Sequence, residues 1–185
     1  MAAVRGHARE DIVTTASALF TAHGIRAVSA DRIIADAGVS KVTFYRHFAA
    51  KDDLVVAYLR RELARLQDYA AAHEPDVAVM AALFKDQMCH QGFRGCPFMN
   101  AAAEYPDPAH PVRAVVVEFR AWMVGQFAAW ATATGAADPA RVARTIMMLR
   151  DGALVDGYMS GEPDRVVEEL TAGIEVLVSA SASGS

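Results

Sequence analysis

Between Ser29 and Phe48 the chain carries two short apolar-faced stretches with only Gly38, Val39 and Ser40 between them, a spacing that accommodates helix, tight turn and helix and little else. Ser29 is a good N-cap, Asp31 suits the positive end of the helix it opens, and Ile33, Ile34 and Ala37 share a face, predicting a helix over about 30–37. Gly38 fits a left-handed turn position and Val39 plugs inward. Ser40 caps a third, short helix in which Phe44 and Phe48 fall at i, i+4. Upstream, Ile12, Ala16, Leu19 and Phe20 recur at helical spacing over about 8–23, and His23-Gly24 supplies the stop.

The remainder also reads as helix. A fourth helix begins near Lys51, with Asp52 and Asp53 in its first turn, and continues through Leu54, Tyr58, Leu59, Leu63 and Leu66 toward Ala72. The His73-Glu74-Pro75-Asp76 stretch ends it, because proline cannot continue a helix. Further helices are expected at about 77–90, 99–104, 110–134, 139–159 and 163–179, separated by glycine and proline breaks. Asp138-Pro139 opens the fourth of these with a cap followed by proline at the first position. The expected fold class is therefore all-α with about nine helices, organised as a head over 1–50, a connecting helix over 51–73 and a helical body over 74–185.

Charge is divided unevenly. The formal net charge is −4, yet residues 1–72 hold 10 Lys/Arg against 8 Asp/Glu while 73–185 hold 8 against 14, so a nucleic-acid surface belongs in the first third. The N-terminal residues lack the apolar core of a signal peptide, and no apolar run approaches the roughly 18 residues of a membrane span. A cytoplasmic chain with no membrane partner is the expectation.

If Phe44 and Phe48 bury one side of the third helix, Lys41, Val42, Thr43, Tyr45, Arg46 and His47 populate its outer surface and ends, a surface that fits a major groove. Lys41 and Arg46 suit base edges or phosphates, Thr43 offers a methyl to thymine, and Tyr45 and His47 can donate to phosphate oxygens. Lys51, Ser29 and Ser40, each at a helix start, complete the candidate DNA-binding set.

The segment Val28 to Leu54, VSADRIIADAGVSKVTFYRHFAAKDDL, resembles the DNA-binding domain of the TetR family of repressors over nearly all its length. The resemblance rests on Ala37-Gly38-Val39-Ser40, on Thr43-Phe44-Tyr45-Arg46-His47-Phe48 and on Lys51-Asp52. It implies a homodimer whose C-terminal body binds a small molecule and thereby moves two DNA-reading heads. Val42 departs from the small residue or proline frequent at its position, and Ala50 stands where a polar cap is common, a loss of about 1 kcal/mol.

The body resembles the family less specifically, although Phe93 to Glu104 is similar to a segment found in one broad subgroup. Phe84, Met88, Phe98, Met99, Phe119, Trp122, Met123, Phe127, Met147 and Met148 are candidates to line an apolar pocket, with Asn100, Glu104 and Arg150 as its polar groups. Ordinary core packing is the alternative for each, and Glu104 with Arg150 could equally form a structural pair. Val142, Ile146 and Leu149 mixed with Gly152, Ala153 and Gly157, followed by the stripe Val166, Leu170, Ile174 and Leu177, point to homodimerisation through about 139–159 and 163–179, or to packing within one chain.

Cys89, His90, Cys96 and His110 raise metal binding or thiol sensing, but six residues separate the cysteines and no four-ligand pattern is legible, so no metal or cofactor is assigned. No nucleophile with its base and oxyanion loop can be read either, which argues against an enzyme. The resulting expectation is a repressor of double-stranded operator DNA, acting as a homodimer and released by a small apolar effector. Redox-responsive regulation through Cys89 and Cys96, and an architectural DNA-binding role, are the alternatives.

Overall fold

The computed structural model describes residues 7–74, 76–89 and 92–182. Among them it forms nine α-helices: α1 (Ala8–His23), α2 (Ala30–Asp36), α3 (Lys41–His47), α4 (Lys51–Ala71), α5 (Val77–Cys89), α6 (Pro97–Glu104), α7 (Pro111–Ala133), α8 (Pro139–Ser160) and α9 (Pro163–Ala182). The element order is the one the sequence predicts. The largest differences lie at α6, which starts two residues earlier, with Pro97 as its first residue, and at α9, which runs past Ser179. Proline suits a first helical position, where its missing N–H has no partner to lose. His90 lies outside the described residues.

The chain divides into two compact units that are each discontinuous in sequence: Met1–Arg65 with Pro97–Val116, and Leu66–Cys96 with Val117–Ser185. In the first, α1, α2 and α3 pack on one another around Ile12, Ala16, Phe20, Ile33 and Phe44. The opening turns of α4 add Leu54, Val55 and Leu59, and Tyr58 meets the Phe20 ring edge-on at 5.5 Å. Phe98 and Ala101 of α6 and Val112 and Val115 of α7 complete this core, so a segment from the middle of the chain is built into the N-terminal unit.

The second unit packs α9 against both α8 and α5. Buried Val166, Leu170 and Ile174 are the inward stripe of α9, and Val142, Ile146, Met147 and Leu154 that of α8. Gly157 is buried because Met88 of α5 occupies the space where a Cβ would stand, so this member of the small-residue series is used within the chain. Gly152, by contrast, is exposed with nothing close to its Cβ direction. Among the described residues, no helix is long and apolar enough to cross a membrane.

Candidate nucleic-acid interface and effector cavity

The turn between α2 and α3 depends on Gly38, whose φ of +65° lies in the left-handed region that favours glycine. Ser29 Oγ accepts the Arg32 N–H at 3.2 Å, and Ser40 Oγ accepts the Thr43 N–H at 3.0 Å, so both serines cap the helices they precede. Thr43 Oγ1 also lies 2.9 Å from Ser40 Oγ. At α4 the cap is inverted: Ala50 has no polar side chain, but its own N–H donates to Asp53 Oδ2 at 2.9 Å, the reciprocal half of a capping box.

These caps orient α3. Phe44 and Phe48 are buried with ring centroids 6.0 Å apart, while Val42 is 78% exposed and Tyr45, Arg46 and His47 are exposed beside it. An exposed β-branched apolar side chain at the start of a helix gains nothing from water, which makes Val42 the least explained residue of this face by folding alone. Lys41 Nζ is 3.2 Å from Asp31 Oδ1, but both side chains are largely exposed and so weakly held. The outward face therefore presents Lys41, Val42, Tyr45 and Arg46, with the Ser29 and Ser40 hydroxyls tied to backbone N–H groups at helix starts and the Thr43 hydroxyl against that of Ser40.

Lys51 sits differently from a freely solvated phosphate clamp. Its Nζ donates to the Ile25 carbonyl at 2.6 Å and lies 6.0 Å from the Phe20 ring centroid. Burial pulls its pKa below the usual lysine range, against the opposing pull of Asp52 and Glu104. Glu104 holds the same loop from the other side: Oε1 accepts the Ile25 N–H at 3.0 Å and Oε2 the Arg26 N–H at 2.5 Å. Next to it, Tyr105 donates its hydroxyl to Asp52 Oδ1 at 2.7 Å, and burial together with that bond pushes the phenol pKa upward. His110 Nδ1 accepts the Val112 N–H at 3.3 Å, which leaves the proton on Nε2, 3.2 Å from Asp52 Oδ2. The α1–α2 loop and the start of α4 are thus fastened by residues 104–110, about eighty positions away from Ile25 in sequence.

In the second unit a cavity of about 590 Å³, counting its open mouth, has almost wholly apolar walls. Of the pocket candidates, Phe84, Trp122, Met123 and Phe127 line it. Met88 packs against Gly157, Phe119 and Met147 are core, Met148 is 64% exposed, and Phe98, Met99, Asn100 and Glu104 belong to the first unit. Leu66, Tyr69, Ala70 and His73 also line it, so the last turns of the helix expected to serve as a connector over 51–73 contribute a wall of the cavity, which its apolar spacing does not reveal. The sequence reading also missed Trp130 and the flanking Glu74 and Asp76.

Arg150 is buried in the core of this unit, 2% exposed, and is not among the cavity-lining residues. Its two terminal nitrogens donate to Cys96 Sγ at 3.6 and 3.5 Å, and one of them to Asp151 Oδ1 at 2.8 Å. Its guanidinium carbon lies 5.3 Å from the Phe119 ring centroid and 5.8 Å from that of Phe84. Burial opposes its charge, but Cys96 and Asp151 outweigh that and raise its pKa. The alternative of a structural Arg150–Glu104 pair gives way to the partners that each finds within its own unit. Cys96 is buried and Cys89 exposed, both as free thiols. Among the described residues no cluster of three His, Cys, Asp or Glu side chains is placed to hold a metal.

Comparison with known proteins agrees with this architecture. Residues 12–58 match the family model of bacterial regulatory proteins of the tetR family. No curated protein matches the chain. Among solved structures, a TetR-family transcriptional regulator from Streptomyces coelicolor is 38% identical over 96% of this chain and 97% of its own, with a TM-score of 0.86. A putative regulator of the same kind from Streptomyces avermitilis is 26% identical over 94% and 97%, with a TM-score of 0.80. Escherichia coli NemR in its reduced form shares the fold at 20% identity, covering 91% and 95%, with a TM-score of 0.77. With the capped turn, the outward face of α3 and an aligned relative along almost its whole length, the chain belongs to the TetR family of transcriptional regulators.

Proposed function

We propose that this regulator is a cytoplasmic homodimer that represses transcription from a palindromic operator and releases it when a small ligand enters the cavity. The observation that carries the reading is the division of α3 into a buried Phe44/Phe48 side and an exposed Val42, Tyr45, Arg46 and His47 side, opened by a capped, glycine-dependent turn. Such a helix has its apolar anchors inside and its readers outside. Dimerisation is supported by an exposed apolar set on α8 and α9: Met148, Leu149, Val155, Met159 and Val176 are 38–78% exposed. A stable dimer of this kind buries about 2,000 Å² or more and places two recognition helices about 34–36 Å apart, or a multiple. Coupling is supported by α4, one continuous helix whose opening turns belong to the DNA-binding unit and whose Leu66, Tyr69 and Ala70 line the cavity.

The test is footprinting of the purified chain across DNA flanking its own gene, at fixed salt and with excess random competitor. A protected inverted repeat, lost on adding a cavity ligand, is the expected result. Binding that random DNA competes away equally would replace the reading with an architectural role. Protection that only an oxidant abolishes, and that Cys96→Ser makes permanent, would replace the apolar effector with thiol sensing.

A further inference from the structure

The cavity is chemically lopsided. Five aromatic rings line it, from Tyr69, Phe84, Trp122, Phe127 and Trp130, and two carboxylates, Glu74 and Asp76, flank it, yet no lysine or arginine is among its described lining residues. The acids are exposed in the α4–α5 connection, where Asp76 Oδ1 also accepts the Ala78 N–H at 2.6 Å. His73, the one lining base among the described residues, stacks on Tyr69 with ring centroids 4.2 Å apart and places Nδ1 2.8 Å from the Tyr69 carbonyl. The buried Arg150 guanidinium near Phe84 is answered by Asp151. The unit as a whole holds 13 Asp/Glu against 7 Lys/Arg, while the DNA-binding unit holds 9 against 11. The charge asymmetry of the sequence therefore follows the structural division.

Ring faces attract a poorly hydrated cation, carboxylates at the mouth add to the attraction, and an acidic surrounding raises its local concentration. An apolar anion would meet the opposite of each. We propose that the effector is a small aromatic or alkyl cation of the quaternary-ammonium kind, its charge held against the rings of Trp122, Trp130 and Tyr69 and drawn in past Glu74 and Asp76. This rests on the reading of the cavity as the effector site and goes further by naming the class of ligand.

Phenyltrimethylammonium and tert-butylbenzene have nearly the same shape and differ in a charged nitrogen for a neutral carbon, so together they isolate the charge. Trp122 and Trp130 are the chain's two tryptophans and both line the cavity, which makes intrinsic fluorescence of the full chain a direct readout. The expected result is saturable binding of the cation, about fivefold or more tighter than the neutral compound. In a Glu74→Gln/Asp76→Asn double variant, whose exposed positions leave the core untouched, that preference falls about threefold or more while tert-butylbenzene binds as before. Equal or tighter binding of tert-butylbenzene overturns the cation assignment and leaves the cavity as a site for neutral ligands; a preference for the cation that the double variant leaves unchanged overturns the part of the proposal in which Glu74 and Asp76 draw the charge in. Saturation by neither compound overturns both the cation assignment and the reading of the cavity.

Discussion

Replacing Glu104 with alanine tests whether a segment distant in sequence holds the DNA-binding unit in shape. The carboxylate accepts two backbone N–H groups, from Ile25 at 3.0 Å and from Arg26 at 2.5 Å. These two amides are not equivalent. Arg26 is exposed, so water can take over its N–H, whereas Ile25 is 3% exposed and its N–H would be left with a poor partner. Leaving one buried donor unsatisfied costs about 1–3 kcal/mol, and exchanging the other for water costs much less. A central value of about 2 kcal/mol corresponds to loop opening about 30-fold more frequent. Hydrogen exchange read over residues 24–28 should show that acceleration, with little change in the second unit. Glu104→Gln keeps one carbonyl acceptor but turns an N–H₂ group toward the other amide, so it should fall between wild type and alanine. Unchanged exchange over 24–28 in Glu104→Ala, or equal effects of the two variants, would refute the argument that these hydrogen bonds secure the loop.

Four other outcomes follow from the same geometry. Gly38→Ala should destabilise the first unit by about 1–2 kcal/mol in chemical unfolding, since φ is +65° and a Cβ there meets nothing within 4 Å, so the cost is purely conformational; an effect below 0.5 kcal/mol, as an order-of-magnitude threshold, would contradict the left-handed turn. Lys51→Ala should weaken operator binding with a salt slope shallower by about 0.9 if the ammonium also reaches a phosphate; weakened binding with an unchanged slope would assign Lys51 to holding the Ile25 carbonyl alone. Val42→Ala should lose discrimination between thymine and deoxyuridine at one operator position per half-site, by about fivefold in competition binding, because its methyls then no longer meet the thymine C5-methyl. Tyr105 is an acid whose folded pKa is raised, so its contribution to stability is full below the unfolded phenol range near about pH 10 and declines as pH climbs through the higher folded value. Phenolate absorbance should therefore show the most alkaline of the tyrosine steps in wild type and lack it in Tyr105→Phe.

Local chemistry accounts for most of what was legible in the sequence. Gly38, the serine caps and the Phe44/Phe48 spacing each act within a few residues, so α2, the turn and α3 could be placed almost to the residue, and with them the exposed face proposed to meet DNA. Glycine and proline punctuation placed the remaining helices for the same reason. The cavity was only partly legible. Periodicity finds apolar positions but does not distinguish a side chain facing a void from one facing another side chain, which is why Phe84, Trp122, Met123 and Phe127 could not be separated from core residues such as Phe119 and Met147.

What the sequence by itself determined is the all-α class, the order of its helices and the DNA-reading motif, because caps, turns and helical faces are set by neighbours along the chain. The tertiary structure alone decided that α6 belongs with the N-terminal helices and that Glu104 grips the Ile25–Arg26 backbone rather than a ligand. It alone decided that Arg150 is enclosed with Cys96 and Asp151, and that the end of α4 walls a cavity. A carboxylate or guanidinium takes whichever partner folding brings within about 3 Å, and that distance depends on how helices pack, which spacing along the chain does not encode.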